Sequence, residues 1–321
     1  MALYLTEHDV ESLLSMREAI TALEQSFRAQ ARGEAINQPR RRLYLPEGTY
    51  HTMVAADLSL QTFGQKAYTS FRSGTQFQFL LYDAQNGRLL AIIEADRLGQ
   101  IRTGAATGLA AKFLAWQDAG LEVGIYGAGW QARSQLDAIC AVRDVATITV
   151  YSRNTETRSA FCLEMADRLS LPLIPAEQPE HAAEGKQTVI TATSSRDPVL
   201  HGDWLSPGAH VSAVGSNMLM KREIDERVVS RSDLIVVDSI EQSRVESGDL
   251  LPAFERRLFR WEQVHELHEI VSGAHPGRTA QDQITLFKSN GIALEDVAVA
   301  TLVYRKAMER GMGTQIPIPA G

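Results

Sequence analysis

Apolar and polar positions change period along the chain, and the changes divide it. LYLT is a short apolar piece at the start. In MREAITALEQSFRAQARG apolar residues fall at helical spacing, with Thr6 or Ser15 as the cap ahead of helix and Gly33 as the stop. From Tyr44 to Ile93 the pattern turns to β. HTMVAAD, GQKAYTSF, QFQFLLYD and RLLAIIEA are short runs bounded by turn residues, and Asn86-Gly87 is a hairpin signal. The basic stretch NQPRRRLYLP between these regions is expected to be a loop, and DRLGQIRTGAATGLAAKFLA to turn helical after Ile101. Residues 1–118 thus predict an α+β domain with an antiparallel or mixed sheet, bounded by Gln117-Asp118-Ala119-Gly120.

Beyond that boundary strands and helices alternate, the mark of a parallel sheet. EVGIYGA, ATITVYS, LPLIPA, TVITATS, HVSAVGS and DLIVVDS predict strands, and WQARSQLDAICA and TETRSAFCLEMADRL predict helices. The expected fold is α/β, with a Rossmann-type doubly wound sheet over residues 119–290. ALEDVAVATLVYRKAMERG is a long amphipathic helix, and residues 291–321 are expected to return to the first domain.

The stretch VGIYGAGWQARSQL carries the clearest chemistry. Apolar strand gives way at Gly127-Ala128-Gly129 to helix formers, with Ala132 completing a Gly-x-Gly-x-x-Ala pattern. The first glycine permits the turn and the second lets a pyrophosphate approach the backbone. The third small residue lets helix pack on strand. Free N–H groups at the helix start, backed by the helix dipole, suit an anion. An acid at the tip of the next strand would bind the ribose hydroxyls of NAD. Here the tip is Tyr151-Ser152-Arg153-Asn154-Thr155, which offers donors for a 2′-phosphate instead and favours NADP over NAD. Thr191-Ala192-Thr193-Ser194 and Val214-Gly215-Ser216-Asn217 end later strands with small polar residues suited to ribose and nicotinamide, or simply to capping strand ends.

Composition narrows the class. Apolar residues make up 44% of 321, so the chain is globular, and a net charge of −7 argues against a nucleic-acid partner. No run is apolar enough to span a bilayer and the N-terminus has no signal-peptide pattern. With only Cys140 and Cys162 and no CxxC spacing, a reducing, cytoplasmic setting is expected. His265 and His268 in HELHE are three apart, not four; the pair reads as a solvated helix face and no metal is expected. Lys66, in the strand run FGQKAY, is either an outward lysine or a buried acid or carboxylate holder. Arg40, Arg41, Arg42, Arg72 and Arg102 are by default solvent residues, Arg102 less so because it opens a small-residue helix.

Taken together, Gln38-Pro39-Arg40-Arg41, Gly64-Gln65-Lys66, DRLGQIRTGAA, Gly127-Ala128-Gly129, VGSN, Lys221-Arg222-Glu223-Ile224-Asp225 and ITLFKS resemble the ornithine cyclodeaminase/μ-crystallin family over nearly the whole chain. The resemblance implies a substrate and dimerisation domain joined to the Rossmann domain, a homodimer, and hydride transfer between a nicotinamide and the α-carbon of an amino or imino acid. It puts the substrate-carboxylate arginine at Arg41, with Arg40 one position away, the active-site lysine at Lys66 and a second arginine at Arg102. The aspartate found after Val-Gly-x in ornithine cyclodeaminase and alanine dehydrogenase is Asn217 here, and a substrate-contacting glutamate of the cyclodeaminase falls at His51. Both changes remove negative charge, the reverse of what ornithine needs. The expected catalytic set is Lys66, Arg41, Arg102, His51 and Asn217. The expected cofactor contacts are Thr103, Gly127, Ala128, Gly129, Trp130, Gln131, Ser152, Arg153, Asn154, Thr191, Ala192, Thr193, Val214, Gly215 and Ser216. The function expected is NAD(P)H-dependent reduction of an α-imino acid, either a dicarboxylic imine such as iminosuccinate or a cyclic one such as pyrroline-2-carboxylate. The alternatives are ornithine cyclodeamination and non-catalytic NADPH binding.

Overall fold

The computed structural model describes residues 1–116 and 119–317. They form two compact units: Met1–Arg102 with Ile292–Gly321, and Thr103–Gly291. The division falls inside a helix, ahead of the Gln117–Gly120 stretch, of which Gln117 and Asp118 lie outside the described residues.

The first unit contains β1 (Ala2–Leu5), α1 (Glu7–Leu13), α2 (Met16–Ala31), β2 (Ala35–Leu45), β3 (Gly48–Asp57), β4 (Thr62–Phe71), β5 (Gly74–Asp83), β6 (Leu89–Glu94), the start of α3 (Asp96–Leu114), α10 (Ala293–Arg310) and β15 (Thr314–Ile316). Thr6 and Ser15 both serve as caps, each closing a reciprocal box with the acid three residues on, Asp9 and Glu18. The sheet is mixed, in the order β15-β1-β6-β5-β4-β3-β2, with only β1 and β6 parallel.

Two expectations are corrected here. NQPRRRLYLP is not a loop but most of the edge strand β2, paired antiparallel with β3; Pro39 is tolerated because a bulge interrupts the register between Gln38 and Arg41. Helix α3 begins at Asp96, not after Ile101, because the Glu7 carboxylate accepts from the N–H groups of Asp96 and Arg97 at 2.8 and 2.7 Å. That cap comes from a residue distant in sequence, so no local signal announces it.

The second unit is built on β7 (Leu121–Tyr126), α4 (Trp130–Val142), β8 (Val145–Tyr151), α5 (Thr155–Leu169), β9 (Leu173–Pro175), β10 (Thr188–Thr191), β11 (His210–Ala213), α6 (Glu226–Arg231), β12 (Leu234–Val237), α7 (Ile240–Glu246), α8 (Leu251–Glu255), β13 (Val264–Glu266), α9 (Leu267–Ser272) and β14 (Thr285–Lys288). All its strand pairs are parallel, in the order β13-β12-β14-β11-β10-β7-β8-β9. The chain therefore reverses direction across the sheet between β7 and β10, which opens a crevice at their carboxyl ends. The HELHE histidines do not form a solvated helix face. His265 lies in β13 and stacks on His275 at 3.9 Å, while His268 is in α9, so β pairing separates the two. Among the described residues no cluster of three His, Cys, Asp or Glu side chains is placed to hold a metal, and no helix is long and apolar enough to cross a membrane.

Candidate functional sites in the two units

In the first unit α10 lies across the sheet, and β4 turns alternate side chains towards it. Thr62 meets Thr301 through their hydroxyls at 2.8 Å. Four residues along, Lys66 is 2% exposed and its Nζ donates to Asp296 Oδ1 at 2.9 Å. Room for that ammonium comes from Gly99 of α3, where a Cβ would sit 2.7 Å from Lys66 Nζ. Arg102 joins the same cluster, its Nε donating to Asp296 Oδ1 at 3.3 Å and its Nη1 to Glu295 Oε2 at 2.8 Å. Burial pushes the Lys66 amine below its ordinary range, with Arg102 and Arg40 adding to the effect while Asp296 opposes it. Asp296 Oδ2 is buried without a hydrogen-bond partner.

A further arginine, Arg40, acts on this cluster through its charge. The extra residue of the β2 bulge turns Arg40 inward, and its charge bears on both Lys66 and His51. Arg40 is buried, whereas Arg41, the residue assigned from the resemblance, pairs with Thr52 on the other face and is exposed. A bulge shifts the alternation by one residue, which is why residue order alone could not choose between them.

The register aligns Arg42, His51, Tyr68 and Phe77 in one row across β2, β3, β4 and β5. The row two residues along, about 6.6 Å away, contains Met53, Lys66 and Phe79. His51 stacks on Tyr68 at 4.1 Å, and Lys66 Nζ lies 5.4 Å from the centre of the Phe77 ring. His51 is buried, its Nδ1 has no partner, and burial together with Arg42 and Arg40 lowers its pKa to about 4. This face thus presents one cation in each row, Arg42 and Lys66, among aromatic rings.

In the second unit a cavity of about 310 Å³ opens at the carboxyl ends of β7, β8 and β10. Gly127 turns there at φ +114°, and a Cβ on it would meet Ala192 O at 2.4 Å, so only glycine fits. Gly129 caps the 13-residue α4 without any side-chain hydrogen bond, and a Cβ on it would meet nothing within 4 Å. The start of a full-length helix therefore lies at this cavity with no side chain capping it, an arrangement suited to a phosphate. Gly127, Ala128, Gly129, Ala192 and Thr193 line one side, and Ser152, Arg153 and Asn154 line the other with Thr157. No acid is among the lining residues described. Thr103, Trp130, Gln131, Val214, Gly215 and Ser216 do not line this cavity. Thr191 is buried and donates to Glu223. Asn217 is half-buried in the loop after β11, ahead of the exposed Met218, Leu219 and Met220.

Glu295 and Asp296 do not stand out as site residues by local pattern. Two acids in the first turn of an amphipathic helix read as ordinary partners of its dipole. The signal that marks them is their company: GIALEDVAVAT is otherwise apolar or small on every side, which leaves these carboxylates no solvated face.

A model of the ornithine cyclodeaminase/mu-crystallin family matches residues 2–311. The structure of Thermococcus litoralis Delta(1)-pyrroline-2-carboxylate reductase in complex with NADH and L-proline superposes with a TM-score of 0.93 at 35% identity, covering 98% of this chain and 100% of that one. An archaeal alanine dehydrogenase dimer with bound NAD gives 0.92 at 31% identity, covering 98% of this chain and 99% of the other. The iminosuccinate reductase of Paracoccus denitrificans, in complex with NAD+, gives 0.93 at 28% identity over 99% of both chains.

Proposed function

The chain belongs to the ornithine cyclodeaminase/mu-crystallin family, and we propose that it is an NAD(P)H-dependent oxidoreductase that reduces an α-imino acid to an amino acid. The observation that carries this reading is the buried Lys66–Asp296 pair on the face that also carries Arg40. A cation that burial makes a readier proton donor, beside an arginine able to grip a carboxylate, is what an imino acid needs. Arg40 holds the substrate carboxylate. Lys66 keeps its proton at Nζ against Asp296 and delivers it to the imine nitrogen. Arg102, anchored by Glu295 and Asp296, fixes the far side of that cluster.

The open helix start at Gly129 and the lining of the cavity fit a dinucleotide. Held there, a reduced nicotinamide cofactor supplies the hydride that the α-carbon accepts. Arg153, exposed at the strand tip with no acid among the lining residues described, favours the 2′-phosphate of NADPH over the free ribose of NADH. Proposed likewise are a homodimer and a substrate role for the first unit. The dimer is supported by the archaeal dimer above and by Ile36, Leu43 and Tyr44, exposed at 57, 58 and 74% on the edge strand β2.

Arg42, in the row about one pleat from Lys66, and Arg40 add two cations to that face, beside a His51 that stays neutral. That favours an imine with two carboxylates. The neutral Asn217 and the absence of an acid at position 51 do not suit a substrate with two amines. Purified protein is assayed for NADPH and NADH oxidation with oxaloacetate plus ammonia, pyruvate plus ammonia, and pyrroline-2-carboxylate. Net oxidation is expected, fastest with oxaloacetate plus ammonia, and Arg42→Gln should remove that preference. Equal rates across the panel overturn the dicarboxylate assignment. No oxidation with any of them, or ammonia release from ornithine without net cofactor change, overturns the reductase.

A further inference from the structure

We propose that Glu223 is a positioning residue for the dinucleotide, a buried clamp that ties the loop after β10 to the loop after β11 and so sets one wall of the cleft. Its carboxylate is wholly buried, yet neither oxygen is idle. Oε1 accepts from the Thr193 N–H at 2.5 Å, while Oε2 accepts from the Gly215 N–H at 2.6 Å and from Thr191 Oγ1 at 3.0 Å. Thr193 lines the dinucleotide cavity; Glu223 lies behind it.

The clamp is itself held. The N–H groups of Glu223 and Ile224 donate to Asp249 Oδ1 at 2.6 and 3.2 Å. Lys288, also wholly buried, reaches Asp249 Oδ2 at 2.9 Å and donates to Ser216 O at 2.5 Å. The loop after β11 is therefore fixed at Gly215 and again at Ser216. The two loops touch backbone to backbone: a Cβ on Gly215 would meet Thr193 N at 2.4 Å and Thr193 O at 2.3 Å. Burial and the nearby Asp249 carboxylate hold the Glu223 pKa above its usual range, opposed by Lys288 and the Thr193 donor. An uncharged, merely space-filling residue would satisfy neither amide.

A glutamine at this position keeps the shape but can accept from only one of the two amides; its NH2 group confronts the other donor. The inference rests on the dinucleotide reading of the cleft, and the experiment separates the two. Dissociation constants for NADPH and NADH are measured by calorimetry on wild type, Glu223→Gln and Gly215→Ala, alongside melting temperature and imino-acid KM at saturating cofactor. Both variants should bind dinucleotide about tenfold more weakly or worse, with imino-acid KM within about twofold of wild type. A lowered melting temperature with unchanged dissociation constants overturns the clamp and leaves Glu223 a purely structural residue. Should Glu223→Gln fail to fold, Gly215→Ala decides, and unchanged binding there overturns the inference. Wild-type protein that binds neither dinucleotide overturns the cofactor reading itself.

Discussion

Lys66 Nζ stands 2.9 Å from Asp296 Oδ1, with the two side chains only 3% and 0% exposed. The partners come from a central strand and from a helix 230 residues later in the chain. Both charges are buried, and while Asp296 also takes Arg102, Lys66 relies on Asp296. Removing one partner of such a pair strands the other and costs about 3–5 kcal/mol. Asp296→Asn is expected to lose that much in urea unfolding and to lower kcat as well. A loss below about 1 kcal/mol, the range of exposed pairs, would show that Lys66 finds another anion.

The β2 bulge makes Arg40 and Arg41 a matched experiment. They are adjacent and equally charged, but only Arg40 is turned towards Lys66. Arg40→Gln should raise the imino-acid KM by about tenfold or more, the effect of losing one charge-assisted carboxylate contact, whereas Arg41→Gln should leave it within about twofold. The opposite ranking in steady-state kinetics would restore Arg41 as the carboxylate residue.

Arg153 is a test of cofactor choice. It lines the cavity, is exposed, and has no acid beside it in the lining. Arg153→Ala should weaken NADPH binding about tenfold and leave NADH nearly unchanged. A parallel loss for both cofactors would mean that the side chain serves the shared part of the molecule.

His51 links this face to pH. Its ordinary pKa of 6.5 falls to about 4 in the folded protein, through burial and then Arg42 and Arg40. Above pH 6.5 both folded and unfolded chains carry a neutral imidazole, and stability is at its full value. As pH falls from 6.5 towards 4 the unfolded chain takes up a proton that the folded chain refuses, so stability is lost across that window. His51→Gln should show a shallower acid-side slope in the pH dependence of unfolding. An identical slope would remove His51 from the set of destabilising groups.

Much of the architecture was legible because local pattern and tertiary role agree. Gly127 is needed both for a left-handed turn and for contact with Ala192, so the glycine motif survives unchanged into the structure. The short strands from His51 to Ile93 were visible for the same reason, their alternation being set by one buried face. Where long-range partners decide, sequence pattern falls short. Helix α3 starts early because Glu7 caps it. Arg40 faces inward because of a bulge that only pairing with β3 defines. Asp296 and Glu223 look like solvated acids until the elements around them close, and their burial is what gives them work to do.

The central claim is that hydride passes from a reduced nicotinamide to the α-carbon of an imino acid with net consumption of cofactor. The direct measurement uses NADPH carrying deuterium at the transferable position, oxaloacetate plus ammonia or pyrroline-2-carboxylate as substrate, and mass spectrometry of the amino acid formed. The account predicts one deuterium at the α-carbon for each NADPH oxidised, and about a hundredfold less product from Lys66→Met at similar cofactor affinity. An amino acid free of deuterium, or a Lys66→Met variant as fast as wild type, would contradict it.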